Sequence, residues 1–164
     1  NKVIAGGFTS ISLGFVVLAT IAPSTSYLVI VVALVLLAAG MASTIAPATG
    51  AIMSSVPMNK AGVGSAVNDT TREMGGALGI AILGSIVTSS YRGSFDTTGL
   101  PPEAAELAGE SIGGAIRVGR SIGDVELVQR AGVVFTDAVN LAFGTSAVIA
   151  VIAGSLVLLA GRRS

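Results

Sequence analysis

The sequence predicts an all-α membrane protein, a polytopic helix bundle, from its composition and from four long apolar runs. Hydrophobic residues make up 52% of the 164 residues, charged residues only 11%, and the mean hydropathy is +0.86. These values are typical of membrane proteins. Each apolar run is long enough for a hydrocarbon core of about 30 Å. We predict one partial membrane domain, residues 1–164, with spans at residues 3–22, 27–53, 62–90 and 138–160 and an extramembrane insert at 91–132.

The residue types that are missing exclude several kinds of chemistry. The chain has no cysteine, which excludes disulfides, thiolate metal sites and cysteine nucleophiles. It has no histidine, the commonest metal ligand and the usual base at neutral pH. We therefore expect no metal or cofactor. Any proton carried within the membrane must be bound by a carboxylate. The formal net charge of zero indicates no nucleic-acid partner.

The first run, residues 3–22, carries no charge and contains three glycines at which another helix can pack closely, Gly6, Gly7 and Gly14. It has no charged leader and no cleavage site, so it is not a signal peptide. Because the sequence starts at Asn1 without an initiator methionine, we expect it to be a piece of a longer protein.

The second run, residues 27–53, contains a proline. Pro47 cannot donate a hydrogen bond to the carbonyl of Ser43, so we predict a kink there. A kink that serves packing is one interpretation, and a gating hinge is the alternative.

The third run, residues 62–90, opens with a polar cluster: Asn68, Asp69, Arg72 and Glu73. Charged side chains within a membrane span are costly, and their default interpretation is functional. At a rise of 1.5 Å per residue, Asp69 lies about 10 Å and Glu73 about 16 Å from the start of the run. The first turns of this helix would reach past the hydrocarbon, so the acidic pair is predicted at the mouth or in the near half of the membrane and not at its centre.

Because successive residues of an α-helix are 100° apart, the residues of the polar cluster fall on two neighbouring stripes of this helix. One stripe holds Asn68, Arg72, Gly75 and Gly79, and its neighbour holds Asp69 and Glu73. Gly75 and Gly79 form a GxxxG pair, which predicts a tight helix crossing that also takes in Asn68 and Arg72. The two carboxylates would border that crossing and face a cavity.

The two carboxylates differ in their distance from Arg72 along the helix. Asp69 is three residues before Arg72 and can pair with it, whereas adjacent side chains such as those of Arg72 and Glu73 do not face each other. We expect Asp69 to be a structural partner of Arg72 and Glu73 to be the proton or cation site. A structural role for both carboxylates is the alternative.

The insert is predicted to contain helices. Pro101 and Pro102 open one helix, whose polar face is formed by Glu103, Glu106, Glu110 and Arg117. We interpret it as a solvated helix packed on its own protein, and a helix lying on the membrane surface is the alternative. Asp124 is a predicted N-cap for a further helix that runs into the last span.

Basic residues next to the spans predict the orientation. With four spans, Lys2, Lys60, Arg162 and Arg163 all fall on one side of the membrane. The positive-inside rule places that side, including the C-terminus, in the cytoplasm. The insert is then outside the cell, and the acidic pair lies in the cytoplasmic half.

The third span also carries a resemblance to a known family. Residues 61–85, AGVGSAVNDTTREMGGALGIAILGS, resemble the penultimate helix of fourteen-helix drug:proton antiporters of the major facilitator superfamily, in the multidrug and quaternary-ammonium efflux branch. Its most specific part is the spacing Asn-x-x-x-Arg-x-x-Gly-Gly-x-x-Gly at 68–79. Gly40-Met41, Pro47 and Val56-Pro57 are similar to the helix before it.

The resemblance implies a fold and a function. The chain would be helices 11 to 14, the last four of such a transporter and part of a major-facilitator C-terminal domain. It would sit in the cell membrane beside upstream helices of the same protein and export lipophilic, often cationic drugs in exchange for protons by alternating access. Its partners would be these small substrates, protons and the lipid bilayer.

Two other classes of protein stay open on the residues alone. A small four-helix oligomeric scaffold without transport activity would have the same number of spans. A membrane-embedded enzyme is the weaker alternative, because the spans contain no second acidic motif from which a converging site could be built.

Overall fold

A computed structural model describes residues 2–161, and this part of the chain is all α-helical, as predicted. A single 3-10 turn, Met58–Lys60, joins the second and third helices, and no strand occurs between residues 2 and 161. The six α-helices are α1 (Lys2–Leu18), α2 (Tyr27–Ser55), α3 (Ala61–Ser94), α4 (Pro102–Glu110), α5 (Ile112–Ile122) and α6 (Val125–Gly161).

Helices α1 and α2 form an antiparallel hairpin in which the backbones approach closely at Gly7 and Gly40. A Cβ atom at Gly7 would lie 2.8 Å from the carbonyl oxygen of Gly40, and one at Gly40 would lie 2.6 Å from that of Gly7. A Cβ atom at Gly14 would lie 2.8 Å from Cγ of Leu37. The predicted close packing is therefore confirmed at Gly7 and Gly14, whereas Gly6 has no neighbour within 4 Å in the described part of the chain.

Helix α6 packs antiparallel along the other side of α1. The Ser12 hydroxyl donates to the Ala147 carbonyl at 3.2 Å, and the Asn140 amide donates to the Ile21 carbonyl at 2.8 Å. The helical part of the first run ends at Leu18, four residues before the predicted end of the span. Asn140 thus provides a donor for a carbonyl in the turn that follows α1, where no helical amide is available.

Helix α3 is held mainly at its two ends. Only Gly64 and Tyr91 are buried among its 34 residues. Near the start, the Val56 side chain lies over Gly64, where an added Cβ atom would approach it to 2.9 Å. Near the end, the Tyr91 hydroxyl donates to the Ala108 carbonyl at 3.2 Å. Between Gly64 and Tyr91 no residue of α3 is fully buried.

The predicted crossing at Gly75 and Gly79 lies in this middle segment. A Cβ atom at either glycine would have nothing within 4 Å. Residues 2–161 therefore do not supply a helix that packs tightly on the GxxxG pair. The crossing stays a prediction that requires a helix beyond the described residues.

Helices α4 and α5 form a hairpin, here called the cap, that packs on the adjoining ends of α3 and α6. Its core is a single cluster of buried side chains from all four helices: Tyr91, Phe95, Ala108, Ala115, Val118, Leu127, Ala131 and Ala138. The rings of Tyr91 and Phe95 stack with centroids 5.2 Å apart. The insert is thus packed on its own protein, in agreement with the favoured interpretation.

The single polar helix predicted across residues 103–117 is wrong, because the chain breaks at Ser111. Ser111 is extended, with φ −163° and ψ 154°, and its hydroxyl accepts a hydrogen bond from the Gly114 amide at 3.1 Å. It is therefore the N-cap of α5. At the hairpin tip a Cβ atom at Gly114 would clash with the Leu107 carbonyl, so only glycine permits this approach.

Helix α6 begins where the sequence predicts a cap. The Asp124 carboxylate accepts a hydrogen bond from the Leu127 amide at 2.8 Å, which confirms the predicted N-cap. Gly123, at φ 71°, ends α5 directly before it. Helix α6 then runs unbroken for 37 residues, roughly 55 Å, so the predicted span at 138–160 is its second part.

Three segments of the described chain are long and apolar enough to cross a membrane: Tyr27–Ser55, Met58–Ser94 and Val125–Gly161. Helix α1 is a shorter apolar helix of 17 residues, about 26 Å long, so the four-span arrangement stays a prediction. Because α1 is antiparallel to α2 and α6, Lys2 and Lys60 lie at the same end of the bundle as Gly161. Arg162 and Arg163, which also entered the predicted orientation, lie outside the described residues.

Candidate functional site

A groove of about 360 Å³ separates α2 from α3 next to the turn that joins them. We call it the α2–α3 groove. Val56 packs over Gly64 between the groove and the turn in the chain order of α2 and α3. The residues that line it are Thr44, Ile45, Ala48, Thr49 and Ile52 from α2, and Val67, Asn68, Thr71 and Arg72 from α3. Pro47 lies within the same stretch of α2 but does not line the groove.

Two of the three threonine hydroxyls that line the groove are already used within their own helices. The hydroxyls of Thr44 and Thr71 donate to carbonyls four residues back in their own helices, each at 2.8 Å. Asn68 is half-buried, and its amide has no hydrogen-bond partner within residues 2–161. The groove therefore offers the Asn68 amide, the Arg72 guanidinium and the Thr49 hydroxyl to a bound molecule.

The predicted pairing of Asp69 with Arg72 is present at the edge of the groove. Nη2 of Arg72 lies 3.3 Å from Oδ1 of Asp69, and this is the single contact between them. The two side chains are 63% and 52% exposed, respectively. Exposed pairs of this kind contribute about 0.2–1 kcal/mol, so the pair holds Arg72 only weakly.

Glu73 does not join the groove. Its side chain is exposed, and it makes no ion pair within residues 2–161. Relative to Asn68 it is rotated by about 140° around α3, whereas Arg72 is rotated by about 40°. The structure thus brings Asn68 and Arg72 together on the groove, places Asp69 at its edge and leaves Glu73 on another face.

The exposed carboxylates lie in the first half of α3, which belongs to a segment long and apolar enough to span a membrane. At 1.5 Å per residue, Asp69 is about 12 Å and Glu73 about 18 Å from the first residue of α3. A charge turned toward lipid costs about 2.5 kcal/mol or more, so such side chains face protein or a water-filled cavity. Where this part of α3 lies within the hydrocarbon core, the surface that carries Asp69 and Glu73 needs a cover other than lipid.

A second cavity, of about 240 Å³, lies between α1, α3 and α6. We call it the α1–α3–α6 cavity. Its lining is Phe8, Phe15, Gly79, Ile82, Leu83, Ser146, Ile149, Ala150 and Ala153. The Ser146 hydroxyl donates to the Ala142 carbonyl at 2.9 Å, so the cavity has no free donor and is apolar.

Of the residues that line this cavity, only Gly79 was predicted from the sequence as a site residue. Its residues come from three helices and form no motif. One signal was available: Phe8 and Phe15 are seven residues apart in the first run, which places both rings on one face of a helix.

Between residues 2 and 161 no group of three or more acidic side chains is arranged to hold a metal ion.

Comparisons with known proteins connect the chain to efflux proteins. No family model matches it. It is 34% identical over 156 residues to the multidrug efflux pump LfrA of Mycolicibacterium smegmatis, an alignment that covers 94% of this chain and 30% of that protein. It is 32% identical over 126 residues to the methyl viologen resistance protein SmvA of Salmonella typhimurium, covering 76% of this chain and 24% of that protein. The chain thus spans less than a third of the length of these relatives.

Proposed function

We propose that the chain is the C-terminal membrane part, helices 11 to 14, of a fourteen-helix drug:proton antiporter of the major facilitator superfamily. The whole protein would export lipophilic, often cationic compounds across the cell membrane. The observation that carries this proposal is the charged cluster of α3, because Asp69 and Glu73 are exposed carboxylates on a helix that is long and apolar enough to span the membrane. Such residues mark substrate or proton pathways.

The similarity to LfrA and SmvA supports export as the activity. One relative is named as a multidrug efflux pump and the other as a methyl viologen resistance protein. Methyl viologen is a planar aromatic dication, so a carboxylate within the membrane is a suitable partner for it. These names support a transporter over an enzyme.

Glu73 is the proposed proton and cation site. It has no ion-pair partner within the described residues, so its charge is available to a proton or to a cationic substrate. Asp69 shares its charge with Arg72 at 3.3 Å and is the supporting residue. Proton and cation would compete for Glu73, which couples the export of one to the entry of the other.

Helices outside residues 2–161 would complete the transport pathway. They would cover the face of α3 that bears Asp69 and Glu73, leaving a water-filled cavity between two halves of the protein. Rocking of these halves would expose the cavity to each side of the membrane in turn. Lys2, Lys60 and the C-terminus would be cytoplasmic, which places Asp69 and Glu73 in the cytoplasmic half.

The substitution Glu73→Gln in the full-length protein tests the assignment. It removes the charge while keeping the size of the side chain. We expect the initial rate of methyl viologen export from cells to fall at least tenfold at equal protein level, which corresponds to about 1.4 kcal/mol in the barrier. The matched control is Glu106→Gln, which removes an exposed carboxylate from the cap.

Export by Glu73→Gln at the native rate would place the coupling carboxylates in other helices. The alternative function, a four-helix oligomeric scaffold, predicts no export by the parent protein either. The parent measurement therefore separates the two functions.

A further inference from the structure

One face of α3 borders both cavities. The residues that line the α2–α3 groove and those that line the α1–α3–α6 cavity fall within an arc of about 160° around the helix axis. Gly75 lies near the centre of that arc, between the two sets. A Cβ atom there would have nothing within 4 Å, so the space between the cavities is open.

The combined space has the dimensions of a drug site. Arg72 and Ile82 are about 15 Å apart along α3. The groove and the cavity measure about 360 and 240 Å³, and ligand sites commonly measure about 300–1,000 Å³. An elongated molecule with two or three rings would extend from one end to the other.

The two ends differ in chemistry. At one end, the Asn68 amide and the Arg72 guanidinium supply N–H donors. At the other, Phe8 and Phe15 enter from α1 opposite Ile82, and no donor is free. Aromatic rings pack well against ring-shaped apolar ligands, with centroids about 4.5–7 Å apart.

We propose that the two cavities form one binding cleft along α3 for a neutral amphipathic compound. Its ring system lies between Phe8, Phe15 and Ile82, and its hydrogen-bond-accepting end, a carbonyl or ether oxygen, meets Asn68 and Arg72. The cleft names a substrate class for the proposed exporter and so rests on that function. It is separate from the cation site, because Asp69 and Glu73 lie outside the arc.

The cleft gives Gly75 and Gly79 a different role from the predicted helix crossing. They form the wall of a ligand site, in which a hydrogen atom in place of a side chain leaves room for the ligand. A leucine at both positions would project into open space rather than into another backbone. The fold should therefore tolerate Gly75→Leu with Gly79→Leu, whereas ligand binding should not.

Photolabelling of the full-length protein in lipid nanodiscs tests the cleft. The probe is a neutral compound of two linked aryl rings, long enough to extend from Arg72 to Ile82, with an ether oxygen at one end and a trifluoromethyl diazirine on the ring at the other end. On illumination the diazirine loses nitrogen, and the resulting carbene inserts into nearby bonds. We expect saturable labelling of the segments that contain Phe8, Phe15 and Ile82, located by peptide mass spectrometry. The double variant Gly75→Leu/Gly79→Leu should lower the labelling at least tenfold with no decrease in unfolding temperature. Asn68→Ala should weaken the apparent affinity with the fold intact.

The matched control is Gly84→Leu, the same change at a glycine that also has an open environment but faces away from the cleft. It should label like the parent. Parent-level labelling of the double variant would overturn the proposal. So would loss of its fold, since that would show that the glycines pack against another helix, and so would a phospholipid found crosslinked in the cleft in place of the probe. Loss of methyl viologen export in Glu73→Gln is independent of all these results, so failure of the cleft and failure of the transport function are distinguishable.

Discussion

Arg72 lies between the face of α3 that lines the α2–α3 groove and the neighbouring face that carries Asp69. Its guanidinium lines the α2–α3 groove and at the same time reaches Asp69 on the neighbouring stripe. Pairing with Asp69 follows directly from the three-residue spacing and was predictable from the sequence. The exposure of the pair was not, because exposure depends on which helices lie opposite.

The strength of this pair gives a prediction for Asp69→Asn. The contact is single and both side chains are more than half exposed, so its loss should lower the free energy of unfolding by about 1 kcal/mol or less. Thermal unfolding of the full-length protein measures this, with Asp137→Asn as the control at an exposed aspartate that makes no ion pair in the described chain. A loss of about 3–5 kcal/mol would instead mean that Arg72 is buried and stranded by helices outside residues 2–161.

At the scale of the helices, hydropathy predicted where the long helices lie along the sequence. Which helices contact one another depends on side-chain packing, and the hydropathy pattern does not contain that information. A GxxxG pair indicates that another helix can approach that surface closely, but it does not identify which helix does so. The tight crossing within the chain forms between Gly7 and Gly40, which do not share such a motif. The break at Ser111 was missed although a serine before Ile112 is an N-cap signal, because the spacing of the acidic residues continues past it.

The Tyr91 hydroxyl connects the C-terminal end of α3 to α4. Tyr91 is 2% exposed, and its hydroxyl satisfies the Ala108 carbonyl in the last turn of α4, where helical donors are lacking. Tyr91→Phe keeps the ring and removes the donor, so we expect a loss of about 1 kcal/mol and faster hydrogen exchange in α4. Tyr27→Phe is the matched control, since Tyr27 is 78% exposed. Equal exchange in the two variants would show that ring packing alone holds the cap.

For the whole molecule, the distribution of packing indicates which parts can move together. Helices α1, α2 and α6 are joined by close glycine contacts and by hydrogen bonds between helices, whereas α3 is fixed near Gly64 and Tyr91. The helix with the charged cluster is thus the one with the most open surroundings. The sequence predicted the cluster, but the groove and the apolar cavity beside it arise from the spacing between helices that are distant in sequence. No motif within a single helix predicts that spacing.

Proton coupling is the part of the proposed function that gives the α3 carboxylates their role, and one measurement tests it. Full-length protein is reconstituted into vesicles with an imposed pH gradient, and methyl viologen transport is recorded together with the pH of the lumen. We predict that the gradient drives transport, that added methyl viologen moves protons in the opposite direction, and that Glu73→Gln loses both while Glu106→Gln keeps both. Methyl viologen transport that is unaffected by collapsing the gradient, or proton movement that persists in Glu73→Gln, would contradict the account.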